Sequence, residues 1–205
     1  MARPIFAAFY DRFGRLAERH GLAERRRDLL AHAYGRVVEI GAGTGLNFGH
    51  YPPAVSKVEA TEPDPHMRRR AGRAAAVAPV PVHLQDAVAE ALPFEEGEFD
   101  AAVATLVLCS VRDPDMALHE LRRVLKPGGR LLFFEHVRGS PRLARWQDRL
   151  ERPWGWVAGG CHPNRDTVAE IRAAGFELES LEEFDFAPAL VLVKPHASGS
   201  ARRPG

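Results

Sequence analysis

The segment VVEIGAGTG, residues 37–45, constrains the fold of this chain more than any other stretch. Its first half has the short apolar character of a buried strand, and a run of glycines follows directly. Glycine lets the backbone turn sharply with positive φ angles and pass close to a ligand. The segment therefore predicts a strand and a tight turn, with the following LNFGHY opening a helix.

The next hundred residues repeat this alternation of apolar strands and helical segments. The patterns predict strands at KVEATEP, VPVHLQDA, FDAAVATLVL and RLLFFEHV, and helices at PHMRRRAGRAAAVA and PDMALHELRRVL. Continuously apolar strands that alternate with helices are typical of a parallel sheet covered on both faces. The predicted fold class is therefore α/β, a doubly wound, Rossmann-like and mostly parallel sheet.

Both ends of the chain add to this core. Residues 5–33 alternate apolar and charged positions at helical spacing, which predicts one or two amphipathic helices broken at Gly14 and Gly21. Near the other end, RDTVAEIRAAGF predicts a helix, and FELESLEEFDF with ALVLVKPH predicts an antiparallel hairpin that completes seven strands. The tail ASGSARRPG has a low-complexity composition and is predicted to be flexible.

Composition narrows the choice of partners. A net charge of +1 with interspersed signs leaves no basic stripe for a phosphate backbone, so we expect no nucleic-acid partner. The two cysteines, Cys109 and Cys161, are typical of a reducing cytoplasm, and no run approaches the roughly 18 apolar residues of a membrane span. We therefore predict a cytoplasmic protein that acts on a small molecule. Stable membrane insertion is not expected. The arginine-rich stretch 142–152 predicts an amphipathic helix, and it leaves peripheral membrane contact open. The oligomeric state is left open as well.

The glycine turn lies where open parallel sheets bind ligands, beyond the carboxyl end of the first strand. The dinucleotide fingerprint requires a small residue where this sequence has Leu46, which disfavours NAD. Glu62 ends the second strand about 20 residues past the turn, where a carboxylate can accept hydrogen bonds from both ribose hydroxyls. An adenosine-containing ligand is therefore predicted. Without a ligand, the same residues would be a tight loop and an exposed acid.

Together these motifs resemble the class I S-adenosylmethionine-dependent methyltransferases of type 11 over residues 30–137. The resemblance rests on VVEIGAGTG, EPDPHM, AEALPFEEGEFDAAVATLVLCSV, RRVLKPGG and FFEHV, in that order. Over nearly the whole chain, NFGHYPP, TLVLCSV, EHV, GGCHPNRDT and a late PH are similar to the methyltransferase-like 7 proteins, which methylate small thiols. This resemblance implies an enzyme with S-adenosylmethionine as its cofactor. The membrane-anchoring apolar N-terminus of those proteins is not expected here.

The same resemblance implies which residues hold the cofactor. The glycine turn would shape the methionine pocket, Glu62 would hold the ribose, and Thr105 would approach the sulfonium. Metal-dependent relatives carry an acid at the position of Thr105, so no metal site is predicted. The full cofactor-binding set that it implies is Glu39, Gly41, Ala42, Gly43, Gly45, Asn47, Glu62, Pro63, Met67, Ala89, Glu90, Thr105 and Leu106.

Methyl transfer from a sulfonium is an in-line displacement on an activated carbon, so positioning and desolvation can supply most of the acceleration. The first-choice acceptor is a small, lipophilic thiol. Alternatives are an amine, a phenol, a phospholipid head group or a quinone-type carbon, and a further alternative is a non-catalytic S-adenosylmethionine-binding protein. A nearby histidine would favour the thiolate of a thiol whose pKa is about 8.5. His136 and His162 are the candidates, and either could instead make only a structural hydrogen bond.

The segment RPWGWVAGGCHPN concentrates aromatic residues between the fifth strand and the next helix. In the family, this insertion and the N-terminal helices commonly cover the acceptor, so we predict an aromatic, apolar pocket. Its expected walls are Phe9, Tyr10, Trp146, Trp154, Trp156 and Cys161. The chain is then one domain, divided into lid helices at 1–33, a cofactor-binding core at 34–137, the acceptor-side insertion at 138–165, a helix and hairpin at 166–196, and the tail at 197–205.

Overall fold

The computed structural model describes residues 18–186 and 189–205, and these form a seven-stranded sheet in the order β3-β2-β1-β4-β5-β7-β6. The strands β1 to β5 run parallel, while β7 is antiparallel to both β5 and β6. This topology confirms the predicted Rossmann-like fold class. The strands are Gly35–Ile40 (β1), Val55–Thr61 (β2), Val82–Gln85 (β3), Phe99–Thr105 (β4), Leu125–His136 (β5), Glu177–Asp185 (β6) and Pro195–Arg202 (β7).

Helices cover both faces of this sheet. Two of them begin at an Asp-Pro pair: the Asp64 side chain accepts hydrogen bonds from the N–H groups of His66 and Met67, and Asp113 accepts one from Met116. These caps satisfy N–H groups that the first helical turn leaves without partners. The helices are Ala23–Leu30 (α1), Pro65–Ala75 (α2), Pro114–Val124 (α3), Pro141–Val157 (α4) and Thr167–Ala173 (α5), with single turns at Glu18–Leu22, Phe48–His50 and Val191–Val193.

Two apolar layers fix the helices to the sheet. On one face, Leu29 and Leu30 of α1 and Ala71 of α2 pack with buried residues of β1 and β2. On the other face, Leu121 of α3 and Ile171 of α5 pack with residues of β4 and β5. Each layer removes a continuous apolar surface from water, which is the dominant stabilising contribution in folding. The sheet's carboxyl edge is left between these layers as the rigid support for a site.

The helix predicted after β1 is absent. LNFGHY forms turns and one short helical turn at Phe48–His50. Pro52 and Pro53 follow Tyr51, which is extended, and proline has no N–H group with which to continue a helix. Tyr51 is instead buried, and its hydroxyl points back to β1.

The prediction of a flexible tail is also wrong: residues 195–202 form β7, between β5 and β6. The stretch predicted as the last strand forms the turn Val191–Val193 instead. The small residues of the tail suit an interior strand, since Ala197 and Ala201 are fully buried. At Gly199, a Cβ atom would lie 2.1 Å from the carbonyl oxygen of Ser180 on β6. The small side chains that suggested a flexible tail are needed here because β7 packs closely between β5 and β6.

The predicted helix in the insertion exists and extends to Val157 as α4. Gln147 is its most buried polar residue, and its side-chain amide donates hydrogen bonds to the carbonyl oxygens of Pro163 (2.8 Å) and Leu192 (3.0 Å). Its amide oxygen accepts one from the N–H of Gly139. Gln147 therefore ties α4 to the segments on either side of it.

Candidate active site

The glycine turn lies at the carboxyl end of β1, and its glycines serve different purposes. Gly41 has a φ of +58°, and a Cβ there would lie 2.2 Å from Val107. Gly43 has a φ of +57°, and a Cβ there would meet nothing closer than 3.9 Å. Gly45 (φ +82°) packs against the ring of Phe48. Gly41 and Gly45 are therefore required for close packing, while Gly43 is the one of the three at which a Cβ would meet open space.

Glu62 joins the end of β2 to the glycine turn. Its carboxylate accepts 2.8 Å hydrogen bonds from the N–H groups of Gly43 and Asp64. Burial raises the pKa of Glu62, and these two N–H groups partly offset the effect. A carboxylate has about four acceptor positions, so two remain for other donors. The geometry is suited to a vicinal diol.

A pocket opens beside the turn, and the sequence indicates only part of its lining. Arg26 of α1 lines this pocket, and only 4% of the Arg26 surface is exposed to solvent. The guanidinium donates to Asn47 Oδ1 (2.8 Å), Thr105 Oγ1 (3.1 Å) and Glu18 Oε1 (2.9 Å). Among the described residues that line this pocket, Arg26 is the only charged one. The lining is Arg26, Gly41, Ala42, Gly43, Thr44, Leu46, Asn47 and Thr105.

No signal in the sequence separates Arg26 from its neighbours Arg25 and Arg27. Only the packing of α1 against the sheet turns Arg26 inward, while Arg25 pairs with Glu182 near the surface. A buried guanidinium at the rim of a small polar pocket is suited to a carboxylate.

Glu39 supports this pocket without lining it. Its buried carboxylate accepts hydrogen bonds from Asn47 Nδ2 (3.0 Å) and the Tyr51 hydroxyl (2.5 Å). Burial raises the pKa of Glu39 to about 7. Asn47 in turn contacts Arg26 and Thr105, so Glu39 orients pocket residues through Asn47.

The residues expected around an adenine lie outside this pocket. Ala89 is part of the apolar layer beside α3. Glu90 accepts hydrogen bonds from the N–H groups of Arg112 (2.8 Å) and Asp113 (3.3 Å), which fixes the loop before α3. Pro63 is exposed and Met67 is buried on α2, both near Glu62 in the chain. Their contact with an adenine stays a prediction.

The loop after β4 is fixed by an unusual backbone conformation and a buried acid. Leu106 has a φ of +55°, which is rare for a residue other than glycine, and its N–H donates to the Phe134 carbonyl oxygen at 2.7 Å. Glu135 accepts from the N–H groups of Val107 (2.9 Å), Leu108 (2.9 Å) and Cys109 (3.2 Å). Such strain often occurs at functional sites, where the surroundings enforce it. Here it ends β4 directly after Thr105.

Three residues from distant parts of the chain meet beyond the ends of β4 and β5. The sulfur atoms of Cys109 and Cys161 each lie 3.6 Å from Nδ1 of His136, and all three atoms lie within 4.8 Å of one another. The interaction between the sulfurs lowers the pKa of Cys161 and raises that of Cys109. We call this group the Cys-His cluster. Among the described residues, these three side chains are the group whose ligand atoms lie close enough together to hold a metal ion. The sequence predicted no metal site.

His196 of β7 packs against this cluster. Its ring centroid lies 4.7 Å from that of His136, and its Nδ1–H donates to the Lys194 carbonyl oxygen at 2.9 Å. Burial lowers the pKa of His196 to about 3, so the ring is neutral near pH 7. His196 is therefore an aromatic wall for His136 and not a competing cation.

His162 lies outside the cluster despite its position next to Cys161. Its Nδ1 lies 2.8 Å from a carboxylate oxygen of Glu151 on α4. Its backbone N–H donates to the Cys109 carbonyl oxygen at 2.7 Å. Of the two predicted catalytic histidines, His136 is the one that the fold brings to the end of β5 beside the cysteines.

Of the three tryptophans predicted as acceptor walls, Trp154 is the one that packs against the two cysteines. Trp154 packs against Cys109, Cys161 and Val193. Trp146 is 56% exposed and Trp156 is 78% exposed. Their part in an acceptor wall stays a prediction. Phe9 and Tyr10 lie outside the described residues.

Among the described residues, no helix combines the length and the apolar character that are needed to cross a bilayer.

Comparison with known proteins shows that this chain is similar to methyltransferases. The methyltransferase domain family matches residues 38–133. The thiol S-methyltransferase TMT1B of Rattus norvegicus is 39% identical over 178 residues, which cover 80% of this chain and 69% of the rat protein. The thiol S-methyltransferase TMT1A of Homo sapiens is 33% identical over 196 residues, which cover 88% of this chain and 79% of the human protein.

The fold has solved counterparts as well. Geranyl diphosphate C-methyltransferase from Streptomyces coelicolor A3(2), in complex with Mg²⁺, geranyl diphosphate and S-adenosyl-L-homocysteine, superimposes with a TM-score of 0.69. The match covers 88% of this chain and 78% of that one at 15% identity. At this identity the likeness concerns the fold alone.

Proposed function

Because this chain belongs to the thiol S-methyltransferases, a family of S-adenosylmethionine-dependent methyltransferases, we propose that it methylates the sulfur of a small, lipophilic thiol. The observation that carries the proposal is the identity of 33% to 39% with these relatives over most of the chain. The position of His136 beside two sulfur atoms, at the carboxyl end of the sheet, supports it.

The residues present fit the methyl donor. Bound S-adenosylmethionine supplies a methyl group that its positive sulfur already activates for displacement. We assign the polar pocket to its methionine end, because buried Arg26 can pair with a carboxylate and Gly43 leaves room where a Cβ would project. Glu62 has acceptor positions for a ribose diol. Asn47 lines this pocket, and together with Glu39 behind it positions Arg26 and Thr105.

On the acceptor side, a thiol needs help because its pKa is about 8.5 and the thiolate is the reactive form. We assign this help to His136 and the residues in contact with it, and assign His162 to a structural role in its pair with Glu151. Trp154 packs at this point and excludes water. A dry, preorganised site can supply much of the acceleration in a displacement reaction.

We also propose a cytoplasmic location. Cys109 and Cys161 are adjacent, buried and unpaired, which is typical of a compartment that keeps thiols reduced.

The direct test is a competition among acceptor classes with a methyl-labelled donor. We expect saturable transfer to an alkyl thiol, and none to a matched amine, phenol, phosphatidylethanolamine or quinol. Gly43→Asp should abolish it, because the added side chain carries negative charge into the donor pocket.

Saturable transfer to one of the other acceptors instead would replace the thiol by that class. Donor binding without turnover on any of them, or on a cell extract, would contradict an enzymatic role.

A further inference from the structure

The Cys-His cluster brings together three side chains that the sequence separates by 27 and 25 residues. We propose that Cys109, His136 and Cys161 bind a thiophilic metal ion, Zn²⁺, and that its open coordination position takes the sulfur of the acceptor. The metal site is inferred from these residues alone, while the role of the acceptor rests on the proposed thiol S-methylation.

The distances fit one ion between the three atoms. Zinc lies about 2.3 Å from cysteine sulfur and about 2.05 Å from histidine nitrogen, and a tetrahedral angle then separates the sulfur and nitrogen by about 3.6 Å. Both sulfurs lie 3.6 Å from Nδ1 of His136. The same ring nitrogen therefore faces both cysteines at the separation that a shared ion would impose.

One hydrogen bond at Nδ1 of His136 serves only one of the two sulfurs, while the sulfurs also interact with each other. A ring nitrogen carries either one proton or one lone pair, so it makes one good hydrogen bond. Nδ1 of His136 has two equally distant sulfur neighbours. A metal ion instead satisfies all three atoms at once.

The backbone holds the cysteines in place before any ion binds. Glu135 accepts the N–H of Cys109, and the Cys109 carbonyl oxygen accepts the N–H of His162, the residue after Cys161. The two cysteine-bearing loops are thus joined by a main-chain hydrogen bond of 2.7 Å. Preorganised ligands of this kind lower the cost of ordering the site on binding.

The ligand types select the ion. Thiolate and imidazole favour zinc, whereas magnesium and calcium prefer oxygen ligands. Two thiolates and a neutral imidazole around Zn²⁺ give a group with no net charge, which suits a buried position. Three protein ligands with a fourth position open is the pattern of catalytic rather than structural zinc sites.

The cluster lies next to the donor pocket. Thr105 of that pocket pairs with Phe134 across β4 and β5, and His136 is two residues further along β5. Cys109 follows Thr105 by four residues, in the loop that Glu135 fixes. An acceptor held at the open position would therefore lie at the same end of the sheet as the methyl donor.

In this scheme a thiol coordinates the zinc and releases its proton to bulk water as it enters the site. The resulting thiolate sulfur forms its bond to the methyl carbon, while the bond from that carbon to the donor sulfonium breaks. The electron pair of the broken bond remains on the donor sulfur. The thioether product is neutral and a weaker ligand than thiolate, so it leaves the metal.

Metal binding by the purified, reduced protein tests the first part. We expect one Zn²⁺ per chain by elemental analysis after dialysis. In Cys109→Ser, Cys161→Ser and His136→Ala, the affinity should fall by more than about tenfold, because each removes one of three ligands. His119→Ala is the matched control, since its exposed histidine contacts the backbone of α3. Circular dichroism and thermal melting of each variant separate lost ligation from lost folding.

Replacement of zinc by Co²⁺ tests the second part without any turnover. We expect a thiolate-to-cobalt absorption band, and a change in that band when ethanethiol is added without donor. Zinc-free protein from the start, or equal zinc in the ligand variants and the control, would overturn the metal site. A cobalt spectrum that ignores ethanethiol would overturn the role of the acceptor.

The remaining outcomes separate the inference from the proposed function. If chelator-stripped protein methylates thiols at the full rate, the role of zinc in binding the acceptor is wrong and thiol methylation stands. If zinc binds as described but no thiol is methylated, the site stands and the proposed function, together with the acceptor's coordination, falls.

Discussion

The backbone N–H of Gly43 donates a 2.8 Å hydrogen bond to the carboxylate of Glu62, across 19 residues of sequence. The two main signals for an adenosine-containing ligand, a glycine turn and an acid after the next strand, are therefore one physical unit. The hydrogen bond fixes the glycine turn relative to the end of β2.

Replacing Glu62 with Gln should weaken S-adenosylhomocysteine binding by about tenfold or more, because an amide nitrogen cannot accept a hydrogen bond from ribose or from Gly43. Affinity should also depend on pH in the wild-type protein. The pKa of Glu62 is raised by burial, so the affinity should fall as the pH falls through that raised value. Calorimetry between pH 8 and pH 4.5 measures both effects. The exposed-site variant Glu182→Gln should retain the wild-type curve, and an unchanged pH dependence in the Glu62→Gln variant would contradict the assignment.

Replacing Arg26 with Gln should weaken S-adenosylhomocysteine by about 30-fold or more, because a carboxylate would lose a buried charged partner. Methylthioadenosine lacks that carboxylate, and its affinity should stay nearly constant. Arg25→Gln removes a neighbouring arginine that contacts Glu182 instead, and should change neither affinity. Equal losses for both ligands in the Arg26 variant would mean that Arg26 only maintains the fold.

Replacing Glu39 with Gln should flatten the pH dependence of stability. The pKa of Glu39 is raised from 4.5 to about 7, so the folded state binds its proton more tightly than the unfolded state does. Stability from this group is therefore greatest below pH 4.5 and decreases as the pH rises towards 7, by roughly 3 kcal/mol, since one unit of pKa is about 1.4 kcal/mol.

Urea unfolding at pH 5 and pH 8 measures this difference. In Glu39→Gln the decrease between the two pH values should be smaller than in the wild type, whereas Glu182→Gln should retain it. An unchanged slope in the Glu39 variant would show that another group causes the dependence.

Trp154 and Trp156 should respond differently to replacement by alanine. Trp154→Ala should cost about 2 kcal/mol of unfolding free energy and raise the acceptor KM, because the ring packs against both cysteines. Trp156 is 78% exposed, so Trp156→Ala should change stability by less than about 0.5 kcal/mol. Thermal unfolding and acceptor kinetics of the two variants, with donor KM as the internal reference, distinguish them. A larger effect of Trp156→Ala on the acceptor KM would support the wall predicted from the sequence.

Replacing Gly199 with Ala should destabilise the protein by about 2 kcal/mol, because the added Cβ would lie 2.1 Å from the Ser180 carbonyl oxygen. Gly49→Ala is the matched control, since a Cβ there meets nothing within 4 Å, and its expected change is below about 0.5 kcal/mol. Equal urea midpoints for the two variants would mean that residues 195–202 are not held between two strands.

The sequence predicted the part of the fold that local patterns encode. Alternating apolar strands and helices, the glycine turn and the acid at Glu62 each carry their signal within about ten residues. The same patterns failed where tertiary packing decides. The ASGSAR stretch looks flexible because its side chains are small, and that property is what β7 needs between β5 and β6.

The candidate site also combines residues that a local sequence pattern predicts with residues that only tertiary packing brings together. Gly41, Gly43 and Glu62 follow from spacing, but nothing local distinguishes Arg26 among adjacent arginines. The Cys-His cluster could not be predicted from motif spacing either, because its members come from the loop after β4, the end of β5 and the loop after α4. Only the topology of the sheet brings them together.

The position of β7 bears on how the protein is assembled as it is synthesised. Among the described strands, β6 has no partner except β7, and β7 also closes the free edge of β5. Until residues 195–202 pair with them, both neighbours would expose unpaired strand edges that invite association with other chains. We therefore expect a chain truncated before residue 195 to depend on chaperones, although its glycine turn and the strands β1 to β5 are already complete.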